Sequence, residues 1–211
     1  MIKIENTEVN GWEAAIRGMR NPMNSWARID TKYDVFGGIP EGIGPNDLDL
    51  MKRLAHGGPV HGKYLRMITV TADITAPFYW WKEYDTYKVG TVASSCSTMH
   101  KIHSKEFTLD DFSHEHLCEE ALKTFDVTIC ALNFYREQFL MFKDKEWWWH
   151  LIQLLPSSYN QRRTVQLNYE VLRGQYKWRK DHKLDEWHAY CDWALTLPYF
   201  EELCVEETDH E

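Results

Sequence analysis

The sequence predicts a mixed α/β domain in which a small sheet is covered by helices. Three observations carry that expectation. Residues 64–74 alternate, with Tyr64, Ile68, Val70, Ala72 and Ile74 on one face, the period-2 mark of a half-buried strand. From Thr108 onward, apolar residues recur at helical spacing through most of the remaining chain. The 211 residues are 44% hydrophobic and 27% charged, enough to bury a full core in one domain.

Taken in order, Ile2 and Ile4 alternate with polar residues, a short strand signal, and Trp12–Arg20 reads as a helix with Ala15, Ile16 and Met19 on one side. Residues 21–45 are rich in Gly, Pro, Asn and Asp and read as a long loop of the kind that helps build sites. Asn46 is expected to cap a helix with Leu50, Met51 and Leu54 inward, stopped by Gly57-Gly58-Pro59. After the strand, Thr75 is expected to cap a helix carrying Pro77 in its first turn. Thr108 and Asp111 have capping-box spacing. Helices are expected at 109–123, 125–142, 145–154, 160–180 and 184–196. Residues 1–200 are expected to form the single domain and 201–211 a frayed acidic tail.

The aromatic load, 10 Trp, 11 Tyr and 9 Phe, suits a thick core, a subunit interface or a pocket for a planar ligand. A formal charge of −8 disfavours nucleic acid and anionic membranes as partners. Five cysteines without a CxxC pair, an opening MIKIENTEV with no apolar leader, and no run of ~18 apolar residues point to a cytoplasmic protein with free thiols. GxSxG, GxGxxG and GxxxxGK[ST] do not occur, which argues against a serine hydrolase, a Rossmann fold or a P-loop mechanism. His100 and His103, and His114 and His116 around Glu115, have metal-like spacing but no HExxH. They read as solvated histidines rather than ligands, with a metal-dependent hydrolase as the distant alternative.

Gln161–Lys183 stands apart. It gathers arginines and lysines against Glu170 and Asp181 in an otherwise acidic chain. At ~100° per residue, Val165, Asn168, Tyr169, Leu172, Tyr176 and Arg179 share the apolar stripe of the expected helix. An inward Arg179 needs a partner, because an unpaired buried charge costs several kcal/mol. A structural carboxylate or a ligand phosphate satisfies it equally well.

The same run, LLPSSYNQRRTVQLNYEVLRGQYKWRKDHKLDEW, resembles the C-terminal motif of the flavin-dependent thymidylate synthases, the ThyX family. Leu155-Pro156, Asn168, Arg179 and Asp181 match that motif in order and spacing. MITVTADITAPFYWWKEYDTYK resembles the segment leading into the family signature, and HGGPVH a small-residue stretch ending in His61; the similarity spans roughly residues 45–190. The signature itself, RHRxxSxNExSxR, is not kept. Here stand Thr86-Tyr87-Lys88, Thr91, Ala93-Ser94, Cys96 and Thr98, with Glu83 and Glu170 where the family has Gln and Arg.

The resemblance implies a ThyX-like α/β (α+β) fold, a small mostly antiparallel sheet with a helical second half, assembled as a homotetramer with FAD at the subunit interfaces. It implies reductive methylation of dUMP or a related pyrimidine deoxynucleotide, with NADPH and methylenetetrahydrofolate as co-substrates. Reduced flavin carries such chemistry, so no protein nucleophile is required. By carry-over, Arg179 holds the nucleotide, while His61 and Asn168 lie near the flavin. Lys88 replaces an Arg at the flavin phosphates as a point charge. Glu83, near the pyrimidine ring, adds an acceptor where an amide both donates and accepts, which favours a ring with an amino donor such as cytosine. The lost signature points alternatively to a non-catalytic nucleotide- or flavin-binding or interaction protein on the same scaffold.

Overall fold

The computed structural model describes residues 2–205. A four-stranded antiparallel sheet has strand order β1-β2-β4-β3, with β1 Lys3–Asn10, β2 Thr69–Pro77, β3 Val92–Ser95 and β4 Asn160–Asn168. The α/β fold with a small antiparallel sheet and a helical second half is therefore as expected. The chain divides into two compact units. One comprises Ile4–Asp73, Tyr87–Ala93 and Thr164–Glu211, and the other Met1–Lys3, Ile74–Thr86 and Ser94–Arg163.

In the first unit, α1 (Trp12–Arg20) buries Trp12, Ala15, Ile16 and Met19 as its periodicity predicts. β2 begins at Thr69, not at Tyr64. Tyr64 and Leu65 are both buried, which an alternating strand cannot do with neighbours, and Gly62–Met67 forms a 3-10 turn instead. Beyond it Val70, Ala72, Ile74 and Ala76 are fully buried in strict alternation.

The largest correction falls on 160–180, where β4 runs to Asn168 before α7 (Tyr169–Arg179) starts. Gln161, Val165 and Leu167 are buried at even spacing, so the residues read as a helical stripe divide between a strand and a helix. α8 (Asp185–Leu195) follows as expected. The end of the chain does not fray at Phe200: α9 (Phe200–Cys204) buries Phe200, Leu203 and Cys204, and Val205 is buried after it. Residues 206–211 of the expected tail lie outside the described residues.

In the second unit, Thr75 stays in β2, and Pro77 is the N-cap of α3 (Phe78–Tyr84). The first amides of α3, Phe78 and Tyr79, donate to the carbonyls of Tyr159 and Ser157 at 3.1 and 3.0 Å, taking the role expected of a side-chain cap. A four-residue helix, α4 (Thr98–Lys101), lies between β3 and the Thr108 turn. The Thr108 amide does bond Asp111 Oδ2, at 2.9 Å, but around a 3-10 turn at Leu109–Asp111. The expected helices at 109–123 and 125–142 are replaced by one helix, α5 (Glu119–Phe142), followed by α6 (Lys145–Leu154). Ile102, Phe107, Phe112, Ile129, Leu132 and Leu151 form the core of this unit.

One buried ion pair organises the long loop. Arg20, closing α1, donates Nε and Nη2 to Asp47 Oδ1 at 2.8 and 2.6 Å. Asp47 Oδ2 accepts the amides of Asp30 and Thr31 and the Thr31 hydroxyl at 3.0, 2.9 and 2.7 Å. Asp30 in turn accepts the amides of Asn46 and Asp47 at 2.9 and 3.0 Å, so Asp30 satisfies the N-terminus of α2 (Pro45–His56), not Asn46 as expected. A Cβ on Gly44, the N-cap, would fall 2.3 Å from Asp30 Oδ1.

Burial pushes the Asp47 carboxyl up, but the hydrogen bonds from Thr31, Arg20 and Asp30 outweigh it and hold its pKa below the ordinary carboxylate value. A carboxylate depressed in the folded state adds stability above its unfolded pKa, about 3.9, and loses it as pH falls through the folded value. Asp47→Asn is expected to cost about 3–5 kcal/mol at pH 7 by leaving Arg20 buried and unpaired. In urea unfolding from pH 7 to pH 2, the gap between wild type and variant should be constant above about pH 5 and shrink below about pH 4. A gap independent of pH would contradict the ionised pair.

Candidate functional site

α7 is the element around which the sequence-expected residues gather. Asn168 is its N-cap, with the side-chain oxygen accepting the Val171 amide at 3.1 Å. This accounts for one Asn168 group structurally and leaves its amide nitrogen on the side of Gly90. A Cβ at Gly90 would meet Val171 Cγ2 at 3.0 Å and lie 3.6 Å from Asn168 Nδ2, and Gly90 has φ of +79°. Only a residue without a side chain lets the 87–91 segment lie this close to the helix start. Exposed Lys88 sits on that segment.

The helix also holds the segment that leads to His61. The Tyr169 amide donates to the Ile68 carbonyl at 3.0 Å. Arg173 Nη1 donates to the Ala55 carbonyl at 2.9 Å, near the C-terminus of α2, and Nη2 pairs with Glu170 at 2.7 Å. Glu170, standing where the resembled family has an arginine, thus positions a different arginine of the same helix. His61 follows α2 by a Gly-Gly-Pro turn. It is exposed and lines a cavity of ≈ 790 Å³ together with residues of α1, α2 and the 21–28 turns. That volume lies within the range of small-molecule sites.

At the other end of α7, Arg179 is half-buried. Its Nε donates to the Tyr87 hydroxyl at 2.9 Å, and its guanidinium carbon lies 5.4 Å from the Tyr87 ring centre and 4.9 Å from that of Trp187. The sequence left the partner open between a structural carboxylate and a ligand; the Tyr87 hydroxyl and two ring faces are among the groups around this guanidinium. A second cavity of ≈ 610 Å³ follows this end of the helix, lined by Lys180, Asp181, His182 and His188. Cys191 also lines it, but burial pushes that thiol up to about 12, so it is no nucleophile.

Arg179, Lys88, Asn168 and His61 therefore all belong to the first unit. Glu83 belongs to the second, on α3, half-buried, its carbonyl accepting the Thr86 hydroxyl at 2.7 Å. In that unit sequence reasoning missed Arg163. Its guanidinium stacks 4.2 Å over Trp81, Nε donates to Gln161 Oε1 at 3.0 Å, and Nη1 pairs with Asp85 at 2.8 Å. The signal was available once 160–168 is read as a strand, because Gln161 and Arg163 then share a face. Among the described residues, no group of three or more His, Cys, Asp or Glu is placed to hold a metal ion. His114 instead donates Nδ1–H to the Phe112 carbonyl at 2.9 Å. No helix among the described residues is long and apolar enough to cross a membrane.

The cap at Asn168 makes a measurable claim. Asn168→Ala should lower unfolding stability by about 1 kcal/mol, while Asn168→Asp keeps most of it. Equal losses in urea melts of the two variants would contradict the cap.

No family profile matches the chain, and no curated protein matches it significantly. Solved structures do. Thymidylate synthase X (ThyX) from Helicobacter pylori, solved with FAD and dUMP, matches over 100% of both chains with a TM-score of 0.70 and 16% identity. A second structure of the Helicobacter pylori enzyme complexed with FAD and dUMP matches over 97% of this chain and 98% of that one, with a TM-score of 0.68 and 17% identity. The UMP/dUMP methylase PolB from Streptomyces cacaoi, bound with 5-Br dUMP, matches over 96% and 94%, with a TM-score of 0.61 and 12% identity. At these identities the likeness is one of fold, and the fold of this chain is that of the flavin-dependent thymidylate synthases.

Proposed function

We propose that this chain is a FAD-dependent, ThyX-like enzyme that reductively methylates dUMP or a related pyrimidine deoxynucleotide, with methylenetetrahydrofolate as one-carbon donor and NADPH as reductant. The observation that carries the reading is Arg179, a cation held against two aromatic rings at the end of α7, on a fold shared with proteins solved with dUMP, FAD or 5-Br dUMP.

The donor set fits a flavin nucleotide. The ≈ 790 Å³ cavity beside His61 has a cationic lining and exposed apolar side chains, which suits a flat, phosphate-bearing group. His61 lines that cavity and Asn168 and Lys88 do not; these three are the residues that the resemblance assigns to the flavin. Bound FAD supplies the redox chemistry. Arg179 binds the nucleotide, its guanidinium kept in place by Tyr87 and Trp187. Asn168 offers its amide nitrogen while its oxygen caps the helix. Lys88 contributes charge without a fork.

One observation favours a second reading, a nucleotide- or flavin-binding protein without this reaction. Strand β3 is exposed along its length, and in the signature region Lys88 alone keeps the charge of its counterpart. The active reading further holds that the chain is a cytoplasmic homotetramer. Val127, Met141 and Phe142 on α5 are at least 60% exposed, more apolar surface than a free helix leaves in water without purpose. Light scattering at micromolar concentration should give four copies, and a monomer would contradict the assembly.

Arg179→Ala is expected to weaken a pyrimidine nucleotide by ~2–5 kcal/mol while sparing FAD, and Asn168→Ala to act mainly on FAD. Calorimetric titration of both variants with dUMP, dCMP and FAD is the check. If Arg179→Ala binds nucleotide as wild type does but melts far lower, Arg179 is a structural residue.

A further inference from the structure

The side chain that bonds Arg179 carries a proton of its own. The Tyr87 hydroxyl oxygen accepts Arg179 Nε–H at 2.9 Å. A phenol is acceptor and donor through one atom, so the Tyr87 O–H is still to be given. Among the described residues, no acceptor receives it. The accepted N–H turns that O–H away from the guanidinium. A charged donor on the oxygen also polarises the O–H and makes it the stronger donor.

Tyr87 is fixed at both ends. Its ring is half-buried, edge-on to Trp187 at 6.2 Å between centres and 68° between planes, with the Arg179 guanidinium carbon 5.4 Å from its own centre. Its carbonyl accepts the Thr91 hydroxyl at 3.2 Å, and Gly90, close against Val171, ties the same segment to the start of α7. Tyr87, Arg179 and Trp187 all belong to the first unit. A ring already held in this way loses little freedom when a ligand arrives, which makes its hydroxyl a pre-organised donor.

Tyr87 stands where the resembled signature has its histidine, and the two side chains are not equivalent. A neutral imidazole accepts on one nitrogen and donates from the other, whereas the phenol does both at the single oxygen beside the guanidinium. We propose that Tyr87 is a nucleotide-contacting residue peculiar to this chain, donating its O–H to an oxygen of the pyrimidine nucleotide that Arg179 binds. This rests on the nucleotide reading above. The acceptor is a base carbonyl or a phosphate oxygen, which offer the same lone-pair chemistry.

The test is calorimetric titration of the full chain and of Tyr87→Phe with dUMP, dCMP and deoxyuridine. Tyr87→Phe keeps the ring against Trp187 and Arg179, so its melting temperature should stay within a few degrees of wild type. Wild type is expected to bind a pyrimidine nucleotide, and Tyr87→Phe to bind it about 10-fold more weakly. A matching loss with deoxyuridine assigns the acceptor to the nucleoside, and a loss confined to the nucleotides assigns it to the phosphate. Contact is separated from mere support of Arg179 by repeating Tyr87→Phe in the Arg179→Lys background, where the Nε donor is gone. A further loss of at least about 3-fold supports the contact, and no further loss overturns it, leaving Tyr87 as a positioning residue. Equal nucleotide affinity in wild type and Tyr87→Phe overturns the contact while the nucleotide reading stands. If wild type binds none of the three ligands, the nucleotide reading fails and the contact falls with it.

Discussion

The strand-to-helix turn at Asn168 is the constraint on which the candidate site depends. One side-chain oxygen accepting one amide ends β4 and starts α7, and so sets the helical phase of every residue that follows. With that phase fixed, Tyr169, Leu172 and Tyr176 enter the core, Arg173 reaches the end of α2, and Arg179 meets Tyr87 and Trp187. A shift of one residue, about 100° around the axis, would send Arg179 elsewhere and expose the core face. Gly90 belongs to the same constraint, because the 87–91 segment reaches the helix only where no Cβ intervenes.

A second fixed point acts on the loop. The Arg20–Asp47 pair is costly to desolvate, and it persists because both carboxylate oxygens of Asp47 are bonded, by Arg20, Asp30 and Thr31. The result is a rigid back to the cavity that His61 lines. Cavity and helix end therefore share one logic: side chains fully bonded behind, and cations and ring faces presented in front.

Much of this was legible in the sequence, and the rest was hidden for physical reasons. Val70 to Ala76 alternate because that strand has one buried face, and the pattern marks it without help. Residues 160–168 misled because Val165 and Tyr169 are four apart, which fits a helical face, while Gln161, Val165 and Leu167 also fit a strand face. The N-cap preference of Asn, with the amide it needs three residues on, was the signal that separates the two. Arg20 and Asp47 lie 27 residues apart with nothing local to join them, so their pairing could not be read. The lining of the His61 cavity comes from three separate segments and was equally out of reach. The order of Asn168, Arg179 and Asp181 was visible, and the α/β fold with a small antiparallel sheet that it suggested is the one the structure shows.

The central claim is that this fold works with a flavin and a pyrimidine nucleotide together. It is tested most directly by reconstituting the purified chain with FAD, removing excess by gel filtration, and recording the visible spectrum before and after adding dUMP. The account predicts retained flavin absorbance whose bands shift on nucleotide addition, since the two ligands would lie side by side along α7. A colourless protein whose melting temperature FAD does not raise would contradict it.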